Sequence, residues 1–148
     1  MRLYLNVIEC AIEHNDKFLV IEHPSGGYAE GLLSFPGGKV DPADESYPSD
    51  ILRAAVKREI FEEVGLTLID PIEYVFSTFF VGKNDSPIIN STFYCRLNKS
   101  LPTVTISPKE IAKYAWLTPK EIMNAQNASS WIKDYVQRIE TYKALKTT

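Results

Sequence analysis

The chain has 148 residues, of which 45% are hydrophobic and 24% charged, so one compact domain over residues 1–148 is expected and a disordered chain is excluded. Lysine and arginine number 16 against 19 aspartates and glutamates, which gives a net charge of −3. Without surplus cations we expect no nucleic-acid partner, and a chain of this charge that handles phosphates needs a local remedy such as a divalent metal.

The first third of the chain is predicted to hold a β-hairpin and a short strand. Apolar and β-branched residues on both sides of a polar turn predict the hairpin, over Leu3–Glu13 and Lys17–Glu22. The short strand Leu32–Phe35 ends at Pro36-Gly37-Gly38. The polar segment Lys39–Ser49 contains two prolines and is predicted to be a surface loop.

The strongest helix is predicted over Asp50–Val64, which has no interior glycine or proline and repeats apolar residues at helical spacing. Ser49 or Asp50 is the expected N-cap, and Gly65 stands where a left-handed residue would end the helix. Three carboxylates, those of Glu59, Glu62 and Glu63, fall within about one 100° sector of this helix. Such a face is either simply solvated or holds a hard cation such as Mg²⁺ or Mn²⁺.

The rest of the chain predicts a second hairpin, one more strand and two helices. The hairpin covers Ile72–Val81 and Ile88–Leu97, and a short strand lies within Ile111–Leu117. Thr118-Pro119 starts a helix with a capping pattern, and Ser130–Leu145 is a terminal amphipathic helix. The order of elements indicates a mixed sheet flanked by helices.

Two cysteines, Cys10 and Cys95, are too few for a disulfide scaffold or a four-ligand zinc site and are predicted to be buried thiols. No stretch reaches the about 20 apolar residues of a membrane span, and Asn6 and Glu9 interrupt the N-terminal apolar run. We therefore expect a soluble, cytoplasmic protein with no membrane partner.

With Pro36–Gly38 and Arg58–Leu66 considered together, the chain resembles the MutT-like Nudix hydrolases. Their signature is glycine, five residues, glutamate, seven residues, then Arg-Glu-aliphatic-x-Glu-Glu-x-Gly-aliphatic, and Arg58–Leu66 matches its second half completely. The first half departs from the pattern by an insertion of about six residues within Lys39–Ser49. Asp50, eight residues before Arg58, would replace the usual glutamate, and Glu45 is the alternative.

The resemblance implies a Nudix-type α/β/α sandwich with a mixed sheet, and hydrolysis of the pyrophosphate bond in a nucleoside diphosphate linked to another group. It implies a divalent cation, Mg²⁺ or Mn²⁺, held by Glu62 and Glu63, with Glu59 as ligand or base and the Gly37 carbonyl as a further ligand. Arg58 would orient the carboxylates by pairing with Asp50 or Glu45. The expected partner is a small nucleotide, and a homodimer is possible in this family.

The general base has more than one candidate, since the family places it at different positions. Glu59 is one and Glu110, six residues before Trp116, is another, while Glu73 and Glu30 are weaker choices. A carboxylate in this position takes the proton of the attacking water.

Substrate contacts are predicted from aromatic and basic residues near the motif. The residues that could stack on a base are Tyr28, Phe35, Phe79 and Phe80, each also compatible with simple packing, and Lys39 could meet a phosphate. His14 and His23 lack metal-ligand spacing and are expected at the surface. A nucleotide-sensing module without catalysis is the competing function, which loss of the acidic cluster would favour; an RNA-processing role is disfavoured by the acidic charge.

Overall fold

The computed structural model describes residues 1–27 and 29–147, and within them one seven-stranded sheet carries three α-helices. The strands are β1 (Leu5–His14), β2 (Lys17–Glu22), β3 (Leu33–Ser34), β4 (Gly37–Lys39), β5 (Glu73–Val81), β6 (Pro87–Arg96) and β7 (Lys113–Leu117). The helices are α1 (Ile51–Val64), α2 (Pro119–Asn124) and α3 (Ser130–Lys146). Among these described residues no helix combines the length and the apolarity that crossing a bilayer requires.

The sheet is mixed, as predicted. Its main path runs β3-β2-β1-β6-β5, and β4 and β7 add to β1 and β2 respectively. Strands β1 and β6 are parallel, whereas the two predicted hairpins, β1–β2 and β5–β6, are antiparallel. The central position of β1 brings three other strands against it, including the glycine-containing β4.

Helices cover both faces of the sheet, which gives the α/β/α sandwich. Alternate residues of β1, such as Ile8 and Cys10, pack in one core with the apolar face of α1. Ala11 points the other way and packs in a second core with residues of α2 and α3, among them Ile122 and Ile132. Because a strand alternates its side chains, burial on both faces gives β1 consecutive apolar residues, as at Cys10, Ala11 and Ile12.

Helix α1 ends as predicted, because Gly65 adopts the left-handed conformation at φ +70° and its N–H bonds to the Phe61 carbonyl. Its start is at one of the two predicted N-cap residues. Asp50 occupies the N-cap position, but its side chain makes no cap hydrogen bond. The predicted loop Lys39–Ser49 was also only partly correct, since it contains the end of β4 and a 3₁₀ turn at Pro42–Ser46, with a second 3₁₀ turn at Pro48–Asp50.

Candidate active site

Arg58 joins α1 to the segment that precedes it. Its Nε and Nη2 donate to the two carboxylate oxygens of Asp44, at 2.9 and 3.0 Å, and Nη2 also donates to the Lys39 carbonyl at 2.8 Å. Asp44 is 3% exposed and accepts a further bond from the Asp41 N–H at 2.8 Å. The hydrogen bonds from Arg58 lower the pKa of Asp44, so the buried carboxylate stays charged.

The predicted partners of Arg58 were therefore wrong. Asp50 instead bonds to Arg53 at 3.3 Å, and 54% of its side chain is exposed. Glu45 is exposed on the 3₁₀ turn beside Asp44. The physical reason is the turn itself, whose Asp41 and Asp44 form a reciprocal capping box that aims the Asp44 carboxylate inward.

A spacing in the sequence could have identified Asp44. Five residues separate it from Gly38, the same glycine-to-acid spacing as in the Nudix signature, whereas thirteen rather than seven separate it from Arg58. The insertion therefore lies after the acidic residue, at 45–50, and forms the second 3₁₀ turn ahead of α1. Counting backward from Arg58 places the acid on the wrong side of the insertion.

Glu59 and Glu62 both accept hydrogen bonds from the remaining guanidinium nitrogen of Arg58. Nη1 of Arg58 donates to Glu59 at 3.0 Å and to Glu62 at 3.1 Å. The Glu59 carboxylate lies against Gly38, where an added Cβ would stand only 2.5 Å from its Cδ. Burial, then repulsion from Glu62 and Glu110, raises the pKa of Glu59 despite its bonds to Arg58. Gly38 thus leaves the space that this carboxylate occupies.

Glu63 lies deeper than the other two carboxylates, with 8% of its surface exposed. It accepts a hydrogen bond from the Gly37 N–H at 2.8 Å. A Cβ at Gly37 would stand 2.0 Å from the Ile8 carbonyl oxygen, so glycine allows β4 to approach β1 here. Burial, followed by repulsion from Glu59, raises the pKa of Glu63 to about 8.

Glu110 lies on an exposed turn next to these carboxylates. The turn is held to the end of α1 by the Ser107 N–H, which donates to the Glu63 carbonyl at 2.9 Å. Repulsion from Glu110 contributes to the raised pKa values of both Glu59 and Glu63, so its charge reaches the cluster. The structure brings the predicted residues Arg58, Glu59, Glu62, Glu63 and Glu110 into one region.

The two weaker candidates for the base lie in other surroundings. Glu73 on β5 accepts a hydrogen bond from Tyr142 at 2.8 Å and pairs with Lys146, both on α3. Glu30 accepts a bond from the Gly26 N–H at 3.0 Å within the loop that follows β2. Each carboxylate therefore has a local structural partner.

A cavity of about 480 Å³ opens beside the acidic cluster. Gly37, Gly38 and Glu63 line it, and so does Tyr135 of α3. Its volume is within the range of small-molecule sites, about 300–1,000 Å³. The aromatic residues predicted to contact a base are placed at this cavity, namely Phe35, Phe79 and Phe80, while Tyr28 lies outside the described residues.

Several polar groups of the cavity were missed by the sequence analysis. Glu9 accepts a hydrogen bond at 2.7 Å from the Asn90 side chain, and burial raises the pKa of Glu9 to about 7 in spite of that bond. His23 was predicted to be a surface residue, but it lines the cavity and bonds through Nε2 to Ser34 Oγ at 2.8 Å. The alternation of β1 could have indicated that Glu9 faces away from α1, whereas no local pattern indicated Asn90.

The acidic cluster fits a divalent cation. Among the residues that the structure describes, Arg58 is the cation that pairs with it. Burial and repulsion from neighbouring carboxylates raise the pKa values of Glu59 and Glu63, and a cation among the oxygens would relieve that repulsion. Oxygen donors are the ligands that Mg²⁺ and Mn²⁺ prefer. Within residues 1–27 and 29–147 no three acidic, histidine or cysteine side chains already form a ligand set, in keeping with the hydrogen bonds that hold these carboxylates.

Comparison with known proteins identifies relatives of this fold. The family model of the NUDIX domain matches residues 5–139. The uncharacterized Nudix hydrolase YvcI of Bacillus subtilis is 27% identical over 119 residues, which cover 80% of this chain and 68% of the relative. The CTP pyrophosphohydrolase of Escherichia coli is 39% identical over 62 residues, 42% of each protein.

The same fold is seen in solved structures. The crystal structure of a MutT protein from Methanosarcina mazei superposes with a TM-score of 0.77 at 21% identity, covering 96% of both chains. At this identity the likeness concerns the arrangement of strands and helices.

Proposed function

The chain belongs to the Nudix family, and from this premise we propose that it uses a divalent cation, Mg²⁺ or Mn²⁺, to hydrolyse the pyrophosphate bond of a nucleoside triphosphate or a similar nucleotide. Membership makes the protein a pyrophosphohydrolase that acts on nucleotide-like substrates. Beyond family membership, we propose the use of a divalent metal and a substrate of the nucleoside triphosphate class.

The position of the acidic cluster carries this proposal. Carboxylates from β1 and α1, Glu9 and Glu63, line the same cavity as Gly37 and Gly38. A nucleotide has an apolar base at one end and a charged pyrophosphate at the other. The cavity lining includes both kinds of group, aromatic side chains and carboxylates of a cluster suited to a cation that binds phosphate oxygens.

Glu59, Glu62 and Glu63 are the proposed metal ligands, with the Gly37 carbonyl as a further one. When bound, the cation would neutralise the pyrophosphate and lower the pKa of a bound water. Arg58 positions the first two carboxylates through Nη1, and its own position is set by Asp44. The Gly37 N–H holds Glu63 in place.

The general base is proposed to be Glu59 or Glu110, and their surroundings differ. The Glu59 carboxylate bonds to Arg58 and lies against Gly38, so a substitution of Glu59 also disturbs these two contacts. Glu110 is exposed and adjacent to the cluster, where it can accept a proton from water and pass it to solvent.

The reaction is tested with a panel of nucleoside triphosphates and other nucleoside diphosphate derivatives, each with Mg²⁺ or Mn²⁺, followed by chromatography of the products. We expect a nucleoside monophosphate and pyrophosphate from a triphosphate, with no turnover in excess chelator. Full activity in chelator would refute the metal assignment. Tight nucleotide binding without any hydrolysis would favour the sensing module.

The base is identified by comparing Glu59→Gln with Glu110→Gln. If Glu110 is the base, its variant loses turnover and the acidic limb of the pH–rate profile, while Mn²⁺ affinity measured by calorimetry stays within about twofold of the parent. If Glu59 is the base, Glu110→Gln keeps the parent pH profile. Glu45→Gln, on the exposed turn, is the matched control and should leave both measurements unchanged.

A further inference from the structure

Asn90 is an unusual residue to find at the floor of the cavity. It lies on β6, is 2% exposed, and lines the cavity that the proposed function assigns to the nucleotide. Its Oδ1 has no hydrogen-bond partner among the residues that the structure describes. A buried polar atom without a partner costs free energy in a folded protein, so such an atom in a cavity points to a ligand that completes it.

The orientation of the Asn90 amide is fixed by its neighbours. Its Nδ2 donates to Glu9 at 2.7 Å and to Thr92 Oγ1 at 3.3 Å, which uses both N–H bonds. The Tyr135 hydroxyl lies 3.4 Å from the same nitrogen and is itself bonded to Thr78 at 2.7 Å. The amide nitrogen is therefore satisfied by the protein, and the oxygen is left as a positioned acceptor.

The other ionisable groups that bring a side-chain oxygen to the cavity are acidic. They are the carboxylates of Glu9, Glu63 and Asp134, and the described lining residues include no lysine or arginine. A carbonyl oxygen brought to the Asn90 oxygen would face a second oxygen. An amino group there can donate one hydrogen to Asn90 and keep another for a neighbouring acceptor.

We propose that Asn90 is a specificity-determining residue, whose side-chain oxygen accepts a hydrogen bond from the exocyclic amino group of a nucleobase bound in the cavity. The inference rests on the proposed function, because that function places a nucleotide there. The Asn90 oxygen selects bases that carry an amino group over those with a carbonyl at the same ring position. A buried acceptor left unpaired makes such a site reject the carbonyl analogue strongly.

The test measures base preference without hydrolysis. Isothermal titration calorimetry is performed at one pH with two pairs of monophosphates, CMP against UMP and AMP against IMP, in metal-free buffer. Within each pair the phosphate charge is equal and an amino group is exchanged for a carbonyl. We expect the amino nucleotide to bind at least about tenfold more tightly in one pair or both, a difference of about 1.4 kcal/mol.

Two variants assign the preference to Asn90. Asn90→Leu keeps the branching at Cγ but removes the oxygen, and its two affinities should come within about twofold of each other. Asn98→Leu, the same exchange at an exposed site beyond β6, should keep the parent preference. Thermal melts monitor folding, and if Asn90→Leu does not fold, the unmodified protein still decides whether the base preference exists, since equal affinities there overturn the assignment.

The outcomes separate this inference from the function on which it rests. Equal affinities in both pairs, tighter binding of the carbonyl nucleotides, or no binding of any of the four would overturn the assignment of Asn90. Metal-dependent hydrolysis without base preference would leave the proposed function intact and refute the inference. A clear preference in binding, with no hydrolysis of any nucleotide, would refute the function and retain the base contact.

Discussion

Asp44→Asn tests whether the buried fork between Asp44 and Arg58 supports both the fold and the site. The amide can present an oxygen to only one of two donors, because its other end is an NH₂ group. In either orientation of the amide, the variant therefore loses one hydrogen bond from Arg58, and a donor faces a donor. With the NH₂ group at the Oδ2 position, the bond from the Asp41 N–H is lost as well. The guanidinium also loses the charge that balances it.

The cost can be worked out from these contacts. Hydrogen bonds to charged groups contribute about 1.5–3 kcal/mol. Arg58 is 19% exposed and keeps its bonds to the Lys39 carbonyl and to Glu59, so we expect the lower part of that range, about 2 kcal/mol. For a chain of this size, that corresponds to a fall in Tm of roughly 4–8 °C. Because Arg58 orients proposed ligands, Mn²⁺ affinity should fall about 10–100-fold.

Asp50→Asn and Glu45→Gln are the matched controls, since each removes one carboxylate charge from the same segment. Both residues are exposed, and an exposed ion pair such as that of Asp50 contributes about 0–1 kcal/mol. Calorimetric melting and Mn²⁺ titration of the three variants provide the comparison. An Asp44→Asn protein with the parent Tm and metal affinity, or an equal loss in Asp50→Asn, would refute the importance of the fork.

Three further predictions concern the cluster itself. Glu63→Gln should lower kcat more than about 100-fold, because it removes a ligand charge with little change in volume. The pKa of Glu63 is raised from 4.5 to about 8, so its contribution to metal-free stability is present below about pH 4.5 and is lost as the pH rises through 8. In scanning calorimetry with chelator, the Tm of Glu63→Gln should therefore decline less steeply with rising pH than the Tm of the parent. Gly38→Ala should fold but displace Glu59 and weaken Mn²⁺ binding. Gly27→Ala is the control and should behave as the parent, because the nearest atom to its Cβ would be 3.9 Å away. Equal metal affinity in both variants would contradict the steric argument. Arg58→Lys should lose affinity for Mn²⁺ about tenfold, because an ammonium cannot reproduce the planar fork, and parent-like binding would show that charge alone suffices.

Deleting Ala43–Pro48 is expected to give a different result from the one that the sequence predicts. If Asp50 were the partner of Arg58, the trimmed protein would keep both fold and hydrolysis. The deletion removes Asp44, so we expect a loss of stability at least as large as that of Asp44→Asn and no metal-dependent turnover. A trimmed protein with parent-like melting and activity would show that another carboxylate can replace Asp44.

The sequence by itself determined the elements whose causes are local. Apolar and β-branched runs on both sides of a polar turn marked both hairpins, Gly65 marked the end of α1, and Thr118 with Glu121 marked the capping box of α2. The helical spacing of Glu59, Glu62 and Glu63 likewise follows from neighbouring residues. Such patterns are readable because the interactions that fix them span one turn or one hairpin.

The tertiary structure chose the partner of Arg58 among several acids, and it alone decided which residues meet at the cavity. Three acids precede α1 at plausible distances, and the 3₁₀ turn selects Asp44 by burying it against the guanidinium. Glu9 and Asn90 are 81 residues apart and meet because β1 and β6 pair in parallel. Contacts of this range depend on strand order and register, which the whole core sets, and no local spacing in the chain records them.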